Sequence, residues 1–175
     1  MRTAIYIVVG IVGVLVLLVG IMALIGSMLP KNHVATRSAF LHKPPREVYA
    51  LVRDFASAPK WRTDLKQVEV DEKPGGPVYF REIGKNDTVN YELTEDSPDQ
   101  RMVTVIRDTD LGYSGKWTYT FVPENGGTRL SITEDGEISN VLFRFMSRYI
   151  FGTTSTIDSY LTSLARHFGE TYQPQ

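Results

Sequence analysis

From Thr3 to Leu29 the chain carries no charged residue and is dominated by Ile, Val, Leu, Gly and Met. No other feature constrains the fold as strongly. At 1.5 Å per residue, a helix of that length crosses a hydrocarbon core of about 30 Å. A cleaved signal peptide is the competing explanation. Its apolar region runs to only about 7–15 residues and ends in a small-x-small site. This run is longer, and Leu24 and Ile25 stand two residues before Gly26 and Ser27. Residues 1–30 are therefore expected to be a transmembrane anchor, making a single-pass membrane protein. Gly10, Gly13, Gly20 and Gly26 would let another helix approach, although no two form a G-x-x-x-G pair.

Charge is distributed unevenly around this run. The first acidic residue is Glu47, and five of the 19 basic residues precede it: Arg2, Lys31, Arg37, Lys43 and Arg46. The basic cluster after the apolar run lies close enough to feel an anionic bilayer, and it favours a cytoplasmic soluble domain. All 20 acidic residues fall from Glu47 onward, which argues against nucleic acid as a partner. The absence of cysteine excludes disulfides, thiolate metal sites and cysteine nucleophiles.

Residues 31–175 are enough for one domain with its own core. His33–His42 has strand character. Pro44-Pro45 then opens a helix in which Val48, Leu51 and Val52 share a face. Phe55–Trp61 reads as a short second helix broken by Pro59. From Gln67 to Glu134 strands alternate with short turns, and Asn125-Gly126 marks a hairpin. Short connections predict an antiparallel meander. After Gly136 the period becomes helical. Val141–Phe151 is apolar apart from Arg144, Ser147 and Arg148, and a stripe of Ile157, Tyr160, Leu161, Leu164, Ala165 and Phe168 follows. Gly152 is expected to bend or split this helix.

This order, with certain residues in place, resembles the START-like superfamily, also called the SRPBCC or Bet v 1-like group. Within it the likeness is to polyketide cyclase/dehydrase-type proteins. The residues that carry it are Phe40-Leu41-His42-Lys43 running into Pro44-Pro45-Arg46-Glu47-Val48-Tyr49, then Asp54 and Trp61. Gly115-Lys116-Trp117-Thr118-Tyr119-Thr120-Phe121, Gly127-Thr128-Arg129-Leu130 and the closing Leu161–Phe168 complete it. The resemblance implies an α+β helix-grip fold, with a curved antiparallel sheet around a long C-terminal helix and a cavity between them.

Side-chain alternation then names the expected lining. The sheet supplies Phe80, Tyr91, Leu93, Val103, Val105, Trp117, Tyr119, Phe121, Leu130 and Ile132. The helix supplies Phe145, Tyr149, Ile157, Tyr160, Leu161 and Leu164. Tyrosine and tryptophan tips would place a few polar groups in an apolar cavity, as small-molecule sites commonly do. The expected partner is a hydrophobic small molecule: a lipid, a quinone or a polyketide-like compound.

Catalytic chemistry has little support in the residues. His33, His42 and His167 are scattered without partners at ligand or triad spacing, so no metal is expected. Gly75-Gly76 and Gly126-Gly127 read as turns, and no cofactor is expected. A cyclase- or dehydratase-like enzyme would need an inward carboxylate with a raised pKa, for which Glu82 and Glu134 have the right parity. Glu92 is a further strand carboxylate, while Arg81 and Arg107 have the outward parity. A third reading is an accessory protein whose apolar groove grips a protein partner's helix. Val141–Phe151 also has two readings: burial within the cup, or a helix at a lipid interface with Arg144 and Arg148 as its cationic edge.

Overall fold

The structure is a computed structural model that describes residues 2–85, 87–108 and 111–174. Its first element, α1 (Arg2–Met28), has 27 residues and is about 40 Å long by helical rise. Ile5–Met28 is the one helix among the described residues long and apolar enough to cross a membrane, and its most apolar stretch is wholly exposed. Residues 5–21 are exposed throughout, and partial burial begins at Met22.

The domain is a seven-stranded antiparallel sheet of β1 (Asn32–Leu41), β2 (Leu65–Glu72), β3 (Val78–Gly84), β4 (Thr88–Ser97), β5 (Arg101–Ile106), β6 (Tyr113–Glu124) and β7 (Gly127–Ile138). Spatial order is β1-β7-β6-β5-β4-β3-β2. Strands β2 to β7 form the meander that short turns dictate, and β1 closes beside β7. Asn125 and Gly126 both take positive φ, as a two-residue hairpin joining right-twisted strands requires. Between β1 and β2 run α2 (Pro45–Arg53) and a 3-10 turn (Phe55–Lys60) containing Pro59.

The C-terminal helical region is interrupted. It consists of α3 (Val141–Met146), a π-helical turn (Ser147–Phe151) and α4 (Ser155–His167). Gly152 separates the last two at φ 82°, where a side chain would be strained. Only α4 lies in the grip of the sheet. Its buried stripe is Ile157, Tyr160, Leu161, Leu164 and Ala165. This stripe meets Leu41, Leu130 and Ile132 from the sheet and Val48 and Val52 from α2 in one core. The architecture is the helix-grip fold.

Two expected orientations are corrected here. Phe145 and Tyr149 do not face the cup. Tyr149 is 60% exposed, and the Phe145 ring lies 5.1 Å from it in a tilted contact. Both belong to the segment before Gly152, which leaves the path of α4 and packs beside the end of α1. Val103 and Val105 are also turned away from the inner face. Directly opposed residues in an antiparallel pair share a face. Met102 and Thr104 oppose Tyr119 and Trp117, whereas Val103 and Val105 oppose Thr118 and Lys116. Both faces of β5 carry apolar residues, so alternation within that strand held no information about which one looked inward.

Candidate ligand-binding cavity

The inner face of the sheet is unevenly filled. Towards the turn between β6 and β7, Phe121, Leu130 and Leu41 are at most 2% exposed and pack against Leu161 and Leu164 of α4. In the middle, Tyr160 sits inside an aromatic cage. Its ring lies 5.2 Å from Trp61, 5.8 Å from Trp117 and 5.9 Å from Tyr119. Phe80 is sandwiched between Phe55 at 4.0 Å and Tyr91 at 4.9 Å. At the other end, towards Tyr113 and Ile138, the sheet and helix part and leave a cavity of about 680 Å³.

Tyr91 and Trp117 are the residues of the expected lining that this cavity retains. Phe80, Leu93, Tyr119, Phe121, Leu130, Ile132, Ile157, Tyr160, Leu161 and Leu164 belong to the packed core. The remaining wall comes from residues outside that expected lining. Val89 and Ile106 are apolar, Tyr113 and Phe143 are aromatic, and His33, Arg62, Asp64, Asp87, Glu134 and Glu137 are polar or charged.

Glu82 also lines this space. Its register opposite Val89 turns it inward, as parity predicts, and its partner is Arg62. Arg62 Nη1 donates to Glu82 Oε1 at 2.5 Å, and Nη2 donates to Asp64 Oδ2 at 2.6 Å. The guanidinium also lies 5.3 Å from the centre of the Tyr160 ring. Burial works against its charge, yet Glu82 and Asp64 hold its pKa above the ordinary arginine value. Burial pushes the Glu82 carboxyl up, opposed by the Arg62 charge beside it. A fixed ion pair thus occupies one wall.

Glu134 stands on the other wall, opposite Trp117 in the β6–β7 register. Its Oε1 is 3.5 Å from His33 Nε2. Burial raises the Glu134 pKa, with His33 and the Trp117 side chain pulling against it. Unlike Glu82, this carboxylate has no permanent cation against it among the described residues. The wall as a whole carries more carboxylates than cations, so a carboxylate or phosphate head would meet repulsion inside.

Arg62 and Asp64 lie outside the repeating strand pattern, and His33 is a polar residue at the start of β1, so apolar alternation selected none of them. Arg62 follows the core residue Trp61 directly, and that adjacency was the available signal. The outward-facing strand charges pair on the surface: Arg107 with Glu92 at 2.6 Å, and Arg81 with Glu69 at 3.3 Å. A second groove of about 490 Å³ along β2–β4 runs between these charges. It is open and crossed by ion pairs, so it cannot desolvate an apolar guest.

A curved sheet gripping one helix above a partly open interior defines the START-like class of domains. Residues 32–169 match the sequence model of the family described as "Polyketide cyclase / dehydrase and lipid transport", and the chain belongs to that family. Solved structures agree on the fold. A START superfamily protein from Mycobacterium smegmatis is 14% identical with a TM-score of 0.64, covering 78% of this chain and 97% of its own. The Zhui aromatase/cyclase from Streptomyces sp. R1128 is 11% identical with a TM-score of 0.64, covering 79% and 94%. A protein from Thermus thermophilus is 21% identical with a TM-score of 0.60, covering 78% and 96%. At these identities the likeness is one of fold. No curated protein matches the chain.

Proposed function

We propose that this domain binds or carries a hydrophobic small molecule, a lipid, quinone or polyketide-like compound, while α1 anchors it in a membrane. The observation that carries this reading is the position of the cavity. It opens at the end of the cup where α1 joins β1, with His33, two residues into that strand, in its wall. The apolar body would lie against Trp117, Val89 and Ile106. A neutral or cationic polar end would meet Glu134 and the Arg62–Glu82 pair, since an anionic head is disfavoured there. Lys31, Arg37, Lys43 and Arg46, which follow the apolar run in the chain, favour the cytoplasmic face in this reading.

The test uses the full chain, extracted in mild detergent and examined by native mass spectrometry. Wild-type protein is expected to carry a co-purifying apolar molecule. Ile106→Trp, which puts an indole into the cavity, is expected to lose at least about tenfold in occupancy, equivalent to about 1.4 kcal/mol. Equal occupancy in both proteins, or an empty wild type that binds no offered lipid or quinone, would remove the reading.

One observation supports a second function. Glu134 faces the cavity, has its pKa raised by burial and sits beside an imidazole, which are properties of a general base. Under this reading the domain is a cyclase- or dehydratase-like enzyme. Glu134→Gln is then expected to abolish turnover of an aromatic polyketide-type ketone while leaving its binding intact. Glu82 is the poorer candidate, because Arg62 already engages it.

A further inference from the structure

The segment between β7 and α4 does neither of the things its place in the fold suggests. It neither extends α4 nor enters the cup. It docks against the last turns of α1 and presents an apolar ledge to solvent. The docking face of α1 is Met22, Ile25, Gly26 and Leu29, at helical spacing and partly or fully buried. Gly26 is essential to the approach, since a Cβ there would collide with the Val141 carbonyl.

Arg144 locks the contact. Its side chain is 7% exposed. Nη1 donates to the Leu29 carbonyl at 2.8 Å, one of the carbonyls left unpaired at the end of α1. Nη2 donates to the Ser139 carbonyl at 3.2 Å. This corrects the reading of Arg144 as part of a cationic surface edge. Arg148 alone keeps that position. The clamp therefore ties the ledge to the last residue of the uncharged run.

Beyond the clamp, Leu142, Phe143, Tyr149, Ile150 and Phe151 are 37–60% exposed. Elsewhere on the domain, exposed large apolar residues such as Val34, Val70 and Val122 stand singly. A contiguous apolar patch marks an interaction surface where scattered residues do not. Aromatic side chains with one arginine, beside the end of a membrane-length helix, have the composition of a lipid interface. Phe143 and Phe151 also line the cavity.

We propose that the Tyr149–Phe151 ledge, held by the Gly26–Val141 contact and the Arg144–Leu29 hydrogen bond, is embedded in the interfacial layer of the bilayer that α1 spans, so that the cavity mouth opens into lipid. The proposal rests on the anchor reading of α1 but not on the identity of any guest. A guest would then pass between bilayer and cavity along Phe143 and Phe151 without crossing water.

Because the chain has no cysteine, single spin labels can be placed on the full protein without background. Labels at Leu15→Cys, Phe151→Cys and Val122→Cys would be reconstituted in vesicles of phosphatidylcholine and phosphatidylglycerol. Their collisions with oxygen, which concentrates in lipid, would be compared with collisions with a water-soluble nickel chelate. Position 15 is expected to be shielded from nickel. Position 151 is expected to show a clear loss of nickel accessibility relative to position 122. Adding Gly26→Leu, which wedges α1 from α3, should return position 151 to the nickel accessibility of position 122. If position 15 is shielded and position 151 is as nickel-accessible as position 122, the ledge proposal falls and the anchor stands. If position 15 itself is aqueous, the anchor reading fails and takes this proposal with it. If position 151 stays shielded in the Gly26→Leu background, the clamp does not hold the ledge and the mechanism is wrong.

Discussion

The two ends of the cup are built from the same strands and the same helix, yet they have opposite interiors. Leu41, Leu130, Leu161 and Leu164 are fully buried in one hydrophobic core. Around Trp117 and Tyr91 the interior is part empty and its wall is charged. The difference teaches how a small domain keeps a cavity open. One end supplies the burial that holds the fold together. The other sets Arg62 against Glu82 in a fixed ion pair, so that partial burial does not leave those two charges alone. Unpaired charges in such a wall would oppose folding.

The sharpest way to break this contrast is to open a hole in the closed end. Leu161→Ala removes a fully buried side chain from the core and is expected to cost about 4 kcal/mol of unfolding free energy. Chemical denaturation of the detergent-solubilised chain measures it. A loss under about 1 kcal/mol would show that this end tolerates voids as the other does.

A smaller effect is expected from the ion pair in the open end. Arg62→Met leaves Glu82 buried without its cation and is expected to cost about 3 kcal/mol at neutral pH. The double variant Arg62→Met/Glu82→Leu should recover most of that loss, because no buried charge remains. If the single variant is as stable as wild type, the pair is not what keeps this wall folded.

The smallest expected effect is in pH dependence. Burial raises the folded-state pKa of Glu134 above the ordinary glutamate value of 4.5. Its contribution to stability is therefore complete below that value. It is lost as pH rises through the higher folded-state pKa, since only the unfolded chain gives up the proton readily. Glu134→Gln should flatten that part of the stability–pH curve and leave the acid limb unchanged. An unaltered curve would place Glu134 in water and remove it as a candidate base.

Much of the fold is legible along the chain. The uncharged run, Pro44-Pro45, the Asn125-Gly126 hairpin and the Ile157–Leu164 stripe each impose their element locally. Where alternation was one-sided, as in Trp117-Tyr119-Phe121, it also gave the inward face. It failed at β5, where Val103 and Val105 are as apolar as Met102 and Ile106, and only pairing with β6 decides between them. It failed again at Phe145 and Tyr149, whose apolar arc suits a cup interior as well as a membrane surface.

By itself, the sequence determined the element order, the membrane-length helix and the residues able to form a core, because period, turn chemistry and charge act over a few neighbours. The tertiary structure alone decided that Arg62, Glu82, His33 and Glu134 share one cavity, and that Arg144 reaches back to Leu29. Those contacts join residues far apart in the chain. Their partners are selected by strand register and by the packing of α3 on α1, which no local pattern encodes.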